Sequence, residues 1–457
     1  MDILLSHGYY LALDPAEAKI QRPYPPLGLL HLSAHLKEVG KTVEVFDTTF
    51  STPDDFEQRV RDARPPIVGL YVNMMTRSHV LKAIKLCKSL GSTVVLGGPE
   101  PANFMNEYLA AGADFIVRGE GEITLAELLD ATRLDGIAGI AYSRNGEVVA
   151  TEARKPVSNL DDLPWPDRKA IDLNQYLDHW ERHHGVRSVS LITARGCPYT
   201  CRWCSHSVYG YSYRSRSPDN VADEVEWIQR EYAPNQLWYA DDVFTINKKW
   251  LVRYANALEA RNLSFPFETI SREDRLDEEV IALLAKMRCR KLWVGAESGS
   301  QRILDKMDRK TNAVRLREMM HLLRQHRIEN GTFLMFGYDG ERWEDIDATA
   351  AHVLATMPDE VLTTVSYPIK GTPYYEDVHH KVIATTAWHE SSDRDLKLSG
   401  QRSRVFYRFT TQWINARLRY ARETGLASRR RWLRRLRALL AGMLARIGMR
   451  LTWNLRS

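Results

Sequence analysis

Three of the five cysteines fall within eight residues, in the run Ala194-Arg195-Gly196-Cys197-Pro198-Tyr199-Thr200-Cys201-Arg202-Trp203-Cys204. A thiolate is a soft anionic ligand, so a C-x3-C-x2-C loop is first of all a metal-binding loop. Structural zinc takes four protein ligands, and His206 is the neighbour that would complete such a set. Three thiolates alone suit three corners of a cubane iron–sulfur cluster whose fourth iron stays open to another ligand. An enzyme that passes an electron into a bound molecule needs such an open iron. Cys87 and Cys289 stand alone in apolar surroundings and are expected as buried thiols. A low, odd cysteine count gives no disulfide framework and predicts a reducing, cytoplasmic setting.

The elements around this loop must place it. Apolar or β-branched runs near 188–193, 236–240, 267–270, 291–294, 331–336 and 362–368 alternate with helical patterns at 219–232, 249–261, 278–287, 313–326 and 343–355. Six βα units at this spacing predict a partial (β/α)6 TIM-type barrel. Polar groups at the carboxyl ends of barrel strands are the candidates for chemistry. They are Asp241 and Asp242, Arg272, Glu297 with Ser300, and the runs Gly337-Tyr338-Asp339-Gly340-Glu341 and Lys370-Gly371-Thr372-Pro373.

Before the barrel, short strands expected at 2–7, 42–46, 67–72, 93–96 and 114–117 alternate with helices at 27–39, 54–63, 77–90 and 101–111. Apolar on both faces and separated by helices, they predict a parallel, doubly wound Rossmann-like sheet. Its ligand would lie beyond the strand carboxyl ends. Three loops there carry glycines that let a backbone approach a flat ligand: Gly28 after Pro25-Pro26, Gly97-Gly98 before Pro99-Glu100, and Gly119 in Arg118-Gly119-Glu120-Gly121-Glu122. A strand pair around Arg144-Asn145-Gly146 and a proline-punctuated stretch follow. The expected organisation is 1–145, a linker 146–185, a core domain 186–375 and a C-terminal helical, arginine-rich segment 376–457.

The chain has 457 residues, 44% hydrophobic and 26% charged, an ordinary globular composition. No 20-residue apolar span and no secretory signal are expected. The net charge of +5 is unevenly spread. From Gln401 onward there are 15 arginines, no lysine and one acid, Glu423, which gives +14 and leaves −9 for residues 1–400. Apolar residues recur at helical spacing from Leu433 to Leu451, flanked by Arg430, Arg431, Arg434, Arg435 and Arg437. That pattern fits a helix lying on an anionic membrane at its inner face, or a helix docked on its own barrel. No nucleic-acid-reading module is recognised, so a nucleic-acid partner is not expected.

The cysteine spacing, the aromatic Trp203 before the third cysteine and the strand-end motifs resemble the radical S-adenosylmethionine (radical SAM) superfamily. The Pro-Pro-Leu-Gly, Gly-Gly-Pro-Glu and Arg-Gly-Glu-Gly-Glu runs resemble the cobalamin-binding domain of its B12-dependent subgroup. That subgroup includes C-methyltransferases, the anaerobic ring cyclase of bacteriochlorophyll synthesis and enzymes acting on hopanoid lipids. The resemblance implies a 4Fe–4S cluster on Cys197, Cys201 and Cys204, S-adenosylmethionine on the open iron, and cobalamin at the glycine loops. It implies Trp203 beside the adenine, Asp241 or Asp242 at the methionyl amino group, Arg272 at the methionyl carboxylate, and Glu297 with Ser300 at the ribose. The cobalt-ligating D-x-H-x-x-G pattern is absent from residues 1–140, so cobalamin without a protein histidine ligand is expected; His7, His31, His35 and His79 lack that context. The implied reaction is cleavage of S-adenosylmethionine to a 5′-deoxyadenosyl radical that modifies an unactivated carbon. C-methylation of a hydrophobic or natural-product substrate is the first reading, and cyclisation or rearrangement of a lipid or tetrapyrrole the second. The expected partners are a small-molecule or lipid substrate and an electron donor such as flavodoxin or ferredoxin. A tRNA methylthiotransferase is disfavoured because residues 1–140 hold only Cys87. A cobalamin sensor would not need the cysteine loop, and an amino-terminal domain that has lost cobalamin is the remaining rival.

Overall fold

A computed structural model describes residues 1–383, 386–423 and 429–455, with backbone alone for Arg429 and Arg430. The amino-terminal unit runs β1 Ile3–His7, α1 Leu27–Glu38, β2 Val43–Phe46, α2 Pro53–Ala63, β3 Ile67–Tyr71, α3 Arg77–Ser89, β4 Thr93–Gly97, α4 Met105–Ala110, β5 Phe115–Val117 and α5 Glu122–Asp130. Its sheet has the order β2-β1-β3-β4-β5, all parallel. The order reverses between β1 and β3, and such a reversal opens a crevice at the strand carboxyl ends. Both sheet faces are dry: Leu4, Val68, Leu70 and Val94 pack on one side, and Ile3, Leu5 and Val95 on the other. The strand pair around Asn145-Gly146 is a hairpin of β6 Ile140–Arg144 and β7 Glu147–Ala150. β6 pairs antiparallel with β5, so the hairpin extends the amino-terminal sheet.

Helix α6, Leu173–His184, leads into the second unit. There β8 Ser188–Leu191, α7 Pro218–Tyr232, β9 Gln236–Tyr239, α8 Lys248–Ala260, β10 Phe267–Ser271, α9 Glu278–Lys286, β11 Cys289–Glu297, α10 Ala313–Gln325, β12 Glu329–Phe336, α11 Trp343–Thr356 and β13 Glu360–Val365 follow one another. The six strands are parallel and stand in sequence order, an open sheet with β8 and β13 at its edges. Helix starts are fixed by side-chain caps: Ser217 accepts from the Asn220 N–H ahead of α7, Asp277 from Val280 ahead of α9, and Asn312 from Val314 and Arg315 ahead of α10. All six strand carboxyl ends therefore open on one rim.

Two long helices complete the chain, α12 Arg404–Arg422 and α13 Arg429–Thr452. Phe406, Trp413, Ile414 and Leu418 of α12 join the core of the second unit. At its start the Gln401 side chain donates to the carbonyls of Gly337 and Ser366, just past β12 and β13. At its end Arg422 donates to the Asp359 carbonyl, just before β13. Thus α12 runs from the rim to the opposite end of the sheet, and α13 returns along it: Ser403 N–H donates to Leu455 O.

Candidate cofactor chamber

The cysteine loop leaves β8 and is closed at its base by a short antiparallel pair, Ala194–Arg195 against Arg214–Ser215. Gly196 turns the chain with φ +83°, and a Cβ there would meet the Ser212 carbonyl at 2.4 Å, so glycine is required. The loop is tied down at many points. Arg202 N–H donates to Met307 O, Tyr374 N–H to Arg202 O, and the Arg202 fork grips Asp377. Thr200 donates to Asp308 and Tyr199 to Asp274. Ser207 donates to Pro99 O of the amino-terminal Gly-Gly-Pro loop.

Cys201 is buried, Cys197 half-buried and Cys204 exposed. Burial raises the Cys197 and Cys201 thiols, and the charge of Asp242 adds to the rise at Cys197. Arg272 opposes burial at Cys201, its Nη1 lying 3.5 Å from Sγ. A bound metal would overcome these penalties, because coordination removes the thiol proton outright. Among the described residues, no three His, Cys, Asp or Glu side chains converge on a single metal-ion position. His206, the candidate fourth zinc ligand, packs against Tyr211 with ring centroids 4.2 Å apart and planes tilted by 33°.

The strand ends bring some of the expected residues to this loop and turn others away. Asp242 is exposed on the rim. Asp241 faces back: one carboxylate oxygen accepts from the Thr193 and Ala194 N–H groups at 2.7 and 3.0 Å, the other from the Thr193 hydroxyl. Burial pushes Asp241 up to about 6 against these bonds. Arg272, 4% exposed, lies 3.6 Å over the Tyr199 ring and donates to Asp274 and to Arg309 O, so its fork is largely committed within the protein. Glu297 ends β11 with φ +59°, a conformation a non-glycine residue adopts at a cost. Burial lifts its carboxyl to about 7, with Arg272 opposing, and no hydrogen bond to that carboxyl is found among the described residues. Ser300 turns away and donates to Asp345 at 2.6 Å. Trp203 packs one side on Ile303, Met307, Tyr338 and Tyr374.

In the other unit, Gly28, Gly97, Gly98 and Gly119 line one cavity of about 540 Å³. A Cβ at Gly28 or Gly97 would meet no atom and would project into free space; at Gly98, with φ +102°, it would strike Val72 O at 2.6 Å. The walls are mostly apolar, from Leu5, Leu27, Leu70, Val95 and Val117, and they include no histidine. An apolar, glycine-rimmed crevice fits a broad flat ring. Its remaining wall is Ile192, Arg195, Val208 and Tyr209, residues on either side of the three cysteines.

Arg195 also carries what the sequence reading missed. It pairs with Glu120 at 3.0 Å and Glu122 at 2.6 Å, and Arg214 joins Glu120 at 2.9 Å. Burial alone would raise Glu122; Arg195 outweighs it and holds that carboxyl below its ordinary range. The Arg-Gly-Glu-Gly-Glu run thus sets glycine at the cavity and its acids against the cysteine loop. The acid after each glycine was the available signal. Tyr209 lies on the cavity wall with Arg195 5.8 Å over its ring.

Residues 191–353 match the family model described as the radical SAM superfamily, and residues 15–129 match the B12 binding domain. An uncharacterized methyltransferase of Pyrococcus horikoshii is 27% identical over 434 residues, 90% of each chain. The anaerobic magnesium-protoporphyrin IX monomethyl ester cyclase of Cereibacter sphaeroides is 27% identical over 388 residues, 80% of this chain and 62% of the cyclase. The radical S-adenosylmethionine methyltransferase TsrM of Kitasatospora setae, solved with cobalamin and a 4Fe–4S cluster bound, superimposes with a TM-score of 0.70 at 20% identity, over 86% of this chain and 84% of its own.

Proposed function

Because this chain belongs to the B12-dependent radical SAM superfamily, we propose that it transfers a methyl group to an unactivated carbon of an apolar small molecule. The carrying observation is the shared wall: the glycine-rimmed cavity is closed by residues flanking the cysteine loop. When bound, the cluster and S-adenosylmethionine supply a 5′-deoxyadenosyl radical by reductive cleavage, and cobalamin supplies a transferable methyl group.

In this reading Cys197, Cys201 and Cys204 hold three irons, and Arg272 stabilises the Cys201 thiolate by its charge. Asp242 receives the methionyl ammonium, while Asp241 is a positioning residue that fixes the strand-to-loop turn. Glu297, with no protein donor aimed at it, accepts from the ribose hydroxyls. Trp203 offers its open side to the adenine. Ser300 is a positioning residue, anchoring the segment after Glu297 to Asp345. Gly28, Gly97, Gly98 and Gly119 let the backbone lie against the corrin, and Val208 and Tyr209 exclude water between the two cofactors. The Arg195–Glu120–Glu122 cluster keeps the units in this register. The electron comes from a one-electron donor of the flavodoxin or ferredoxin type.

Similarity to the cyclase favours one second reading, ring closure without net methyl transfer. Anaerobic turnover of the reconstituted protein with a reductant, cobalamin and candidate substrates separates the two. Methylation yields 5′-deoxyadenosine and S-adenosylhomocysteine together; cyclisation yields deoxyadenosine alone; neither product from the cofactor-loaded protein would overturn both.

A further inference from the structure

No described helix is long and apolar enough to cross a membrane. Helix α13 nevertheless carries two apolar faces. Its inner face is a narrow stripe of small residues, Ala438, Gly442, Ala445 and Gly448, closed by Met449. A Cβ at Gly448 would meet the Phe409 ring at 2.8 Å, so α13 lies close against α12. Arg446 also turns inward, to Asp347 at 2.8 Å and over the Trp343 and Trp413 rings at 4.2 Å each. The helix is thus already docked on its own body, and a helix with no other task would show polar residues outward.

Its outer face is instead Leu436, Leu440, Met443, Leu444, Ile447 and Leu451, with Leu444 68% and Leu451 76% exposed. At 100° per residue these six lie within about 100° of arc, opposite Ala438, Gly442, Ala445 and Met449. A contiguous apolar patch on a solvent-facing helix marks a contact surface. The exposed arginines Arg437 and Arg450 flank it, in a segment of 15 arginines and a single acid, Glu423. The face runs back along α12 toward the rim, where Leu455 meets Ser403.

We propose that this outer face of α13 seats the protein on an anionic phospholipid surface, with the helix axis in the plane of the interface. Apolar side chains enter the acyl boundary and the flanking guanidinium groups pair with lipid phosphates. Charge selects this occupant over a second copy of the chain. A two-fold contact through α13 would set its arginines against their own counterparts with no acids to answer them. A nucleic acid would satisfy the arginines and leave the leucines in water.

The test is flotation of the cofactor-loaded full chain with phosphatidylcholine vesicles, with and without an equal part of phosphatidylglycerol. The protein is expected to float with the anionic vesicles and at least about ten-fold less with phosphatidylcholine alone. Leu440→Glu, Leu444→Glu and Ile447→Glu together abolish flotation, while deoxyadenosine formation in solution is unchanged. Arg437→Gln with Arg450→Gln weakens it by about five-fold per arginine. Wild type that stays unbound, or a triple-glutamate variant that floats equally well, overturns the proposal. So does a wild-type dimer that fails to float and that the triple substitution converts to monomer, which would assign the face to a second copy.

Discussion

At the scale of single residues, the two adjacent aspartates illustrate how position divides labour. Asp241 is spent on two backbone N–H groups and a hydroxyl, whereas Asp242 looks out over the cysteines. Asp241→Ala leaves buried donors unanswered and is expected to cost about 3 kcal/mol of unfolding free energy. Asp242→Ala is expected to change stability by about 0.5 kcal/mol or less while suppressing cleavage of S-adenosylmethionine. Urea unfolding and a deoxyadenosine assay on both variants check the pair. A separate group reports on pH. Burial lifts Glu341 to about 8, even though one of its oxygens accepts from the Gly337 N–H at 2.7 Å. Its folded value lies above its unfolded one, so its contribution is complete at and below about pH 4.5 and is lost as pH rises through about 8. Glu341→Gln can keep the bond to Gly337 and removes the titration. The stability of wild type relative to this variant, measured by urea unfolding, should therefore fall steadily from pH 5 to pH 8.5.

At the scale of elements, the glycine loops separate two demands that glycine can meet. Gly97 faces free space with no strained φ, so Gly97→Phe is expected to fold normally and to take up cobalamin at least about ten-fold more weakly, while iron and sulfide loading stays unchanged. Gly98→Ala meets both a positive φ and the Val72 carbonyl and is expected to lose about 1–3 kcal/mol of stability. Cobalamin absorbance after desalting, set beside the unfolding midpoints, distinguishes filling the cavity from breaking the turn. These elements were legible in the sequence because local rules govern them. Strand and helix periodicity placed all eleven parallel strands, and glycine punctuation marked the loops that meet at the cavity. Ser300 was not legible: its rotation toward Asp345 depends on α11, a non-local neighbour. The hairpin after α5 was recognised from Asn145-Gly146, yet its pairing with β5 is also a long-range choice that no local pattern encodes.

At the scale of the whole molecule, the two units are held by buried charge as well as by apolar packing. Arg195 and Arg214 meet Glu120 and Glu122 at one seam. Arg77 bridges Glu100 and Asp393 at another, at 2.5 and 2.8 Å, under Phe104 and Trp388. Burying such groups is tolerated because each charge is answered, and it fixes the register of one unit on the other. No local pattern in residues 376–430 points to a role, since that of α12 lies in packing against a sheet assembled from distant strands. The small-residue stripe of the tail docks α13 against α12 and leaves an apolar outer face exposed.

The glycine-rimmed cavity and the cysteine loop are two sides of one chamber. Electron paramagnetic resonance of protein carrying both cobalamin in its paramagnetic cob(II) form and the reduced cluster addresses it directly. The account predicts that each signal is broadened and relaxes faster in the presence of the other. A spectrum equal to the sum of those from protein loaded with each cofactor singly would contradict it.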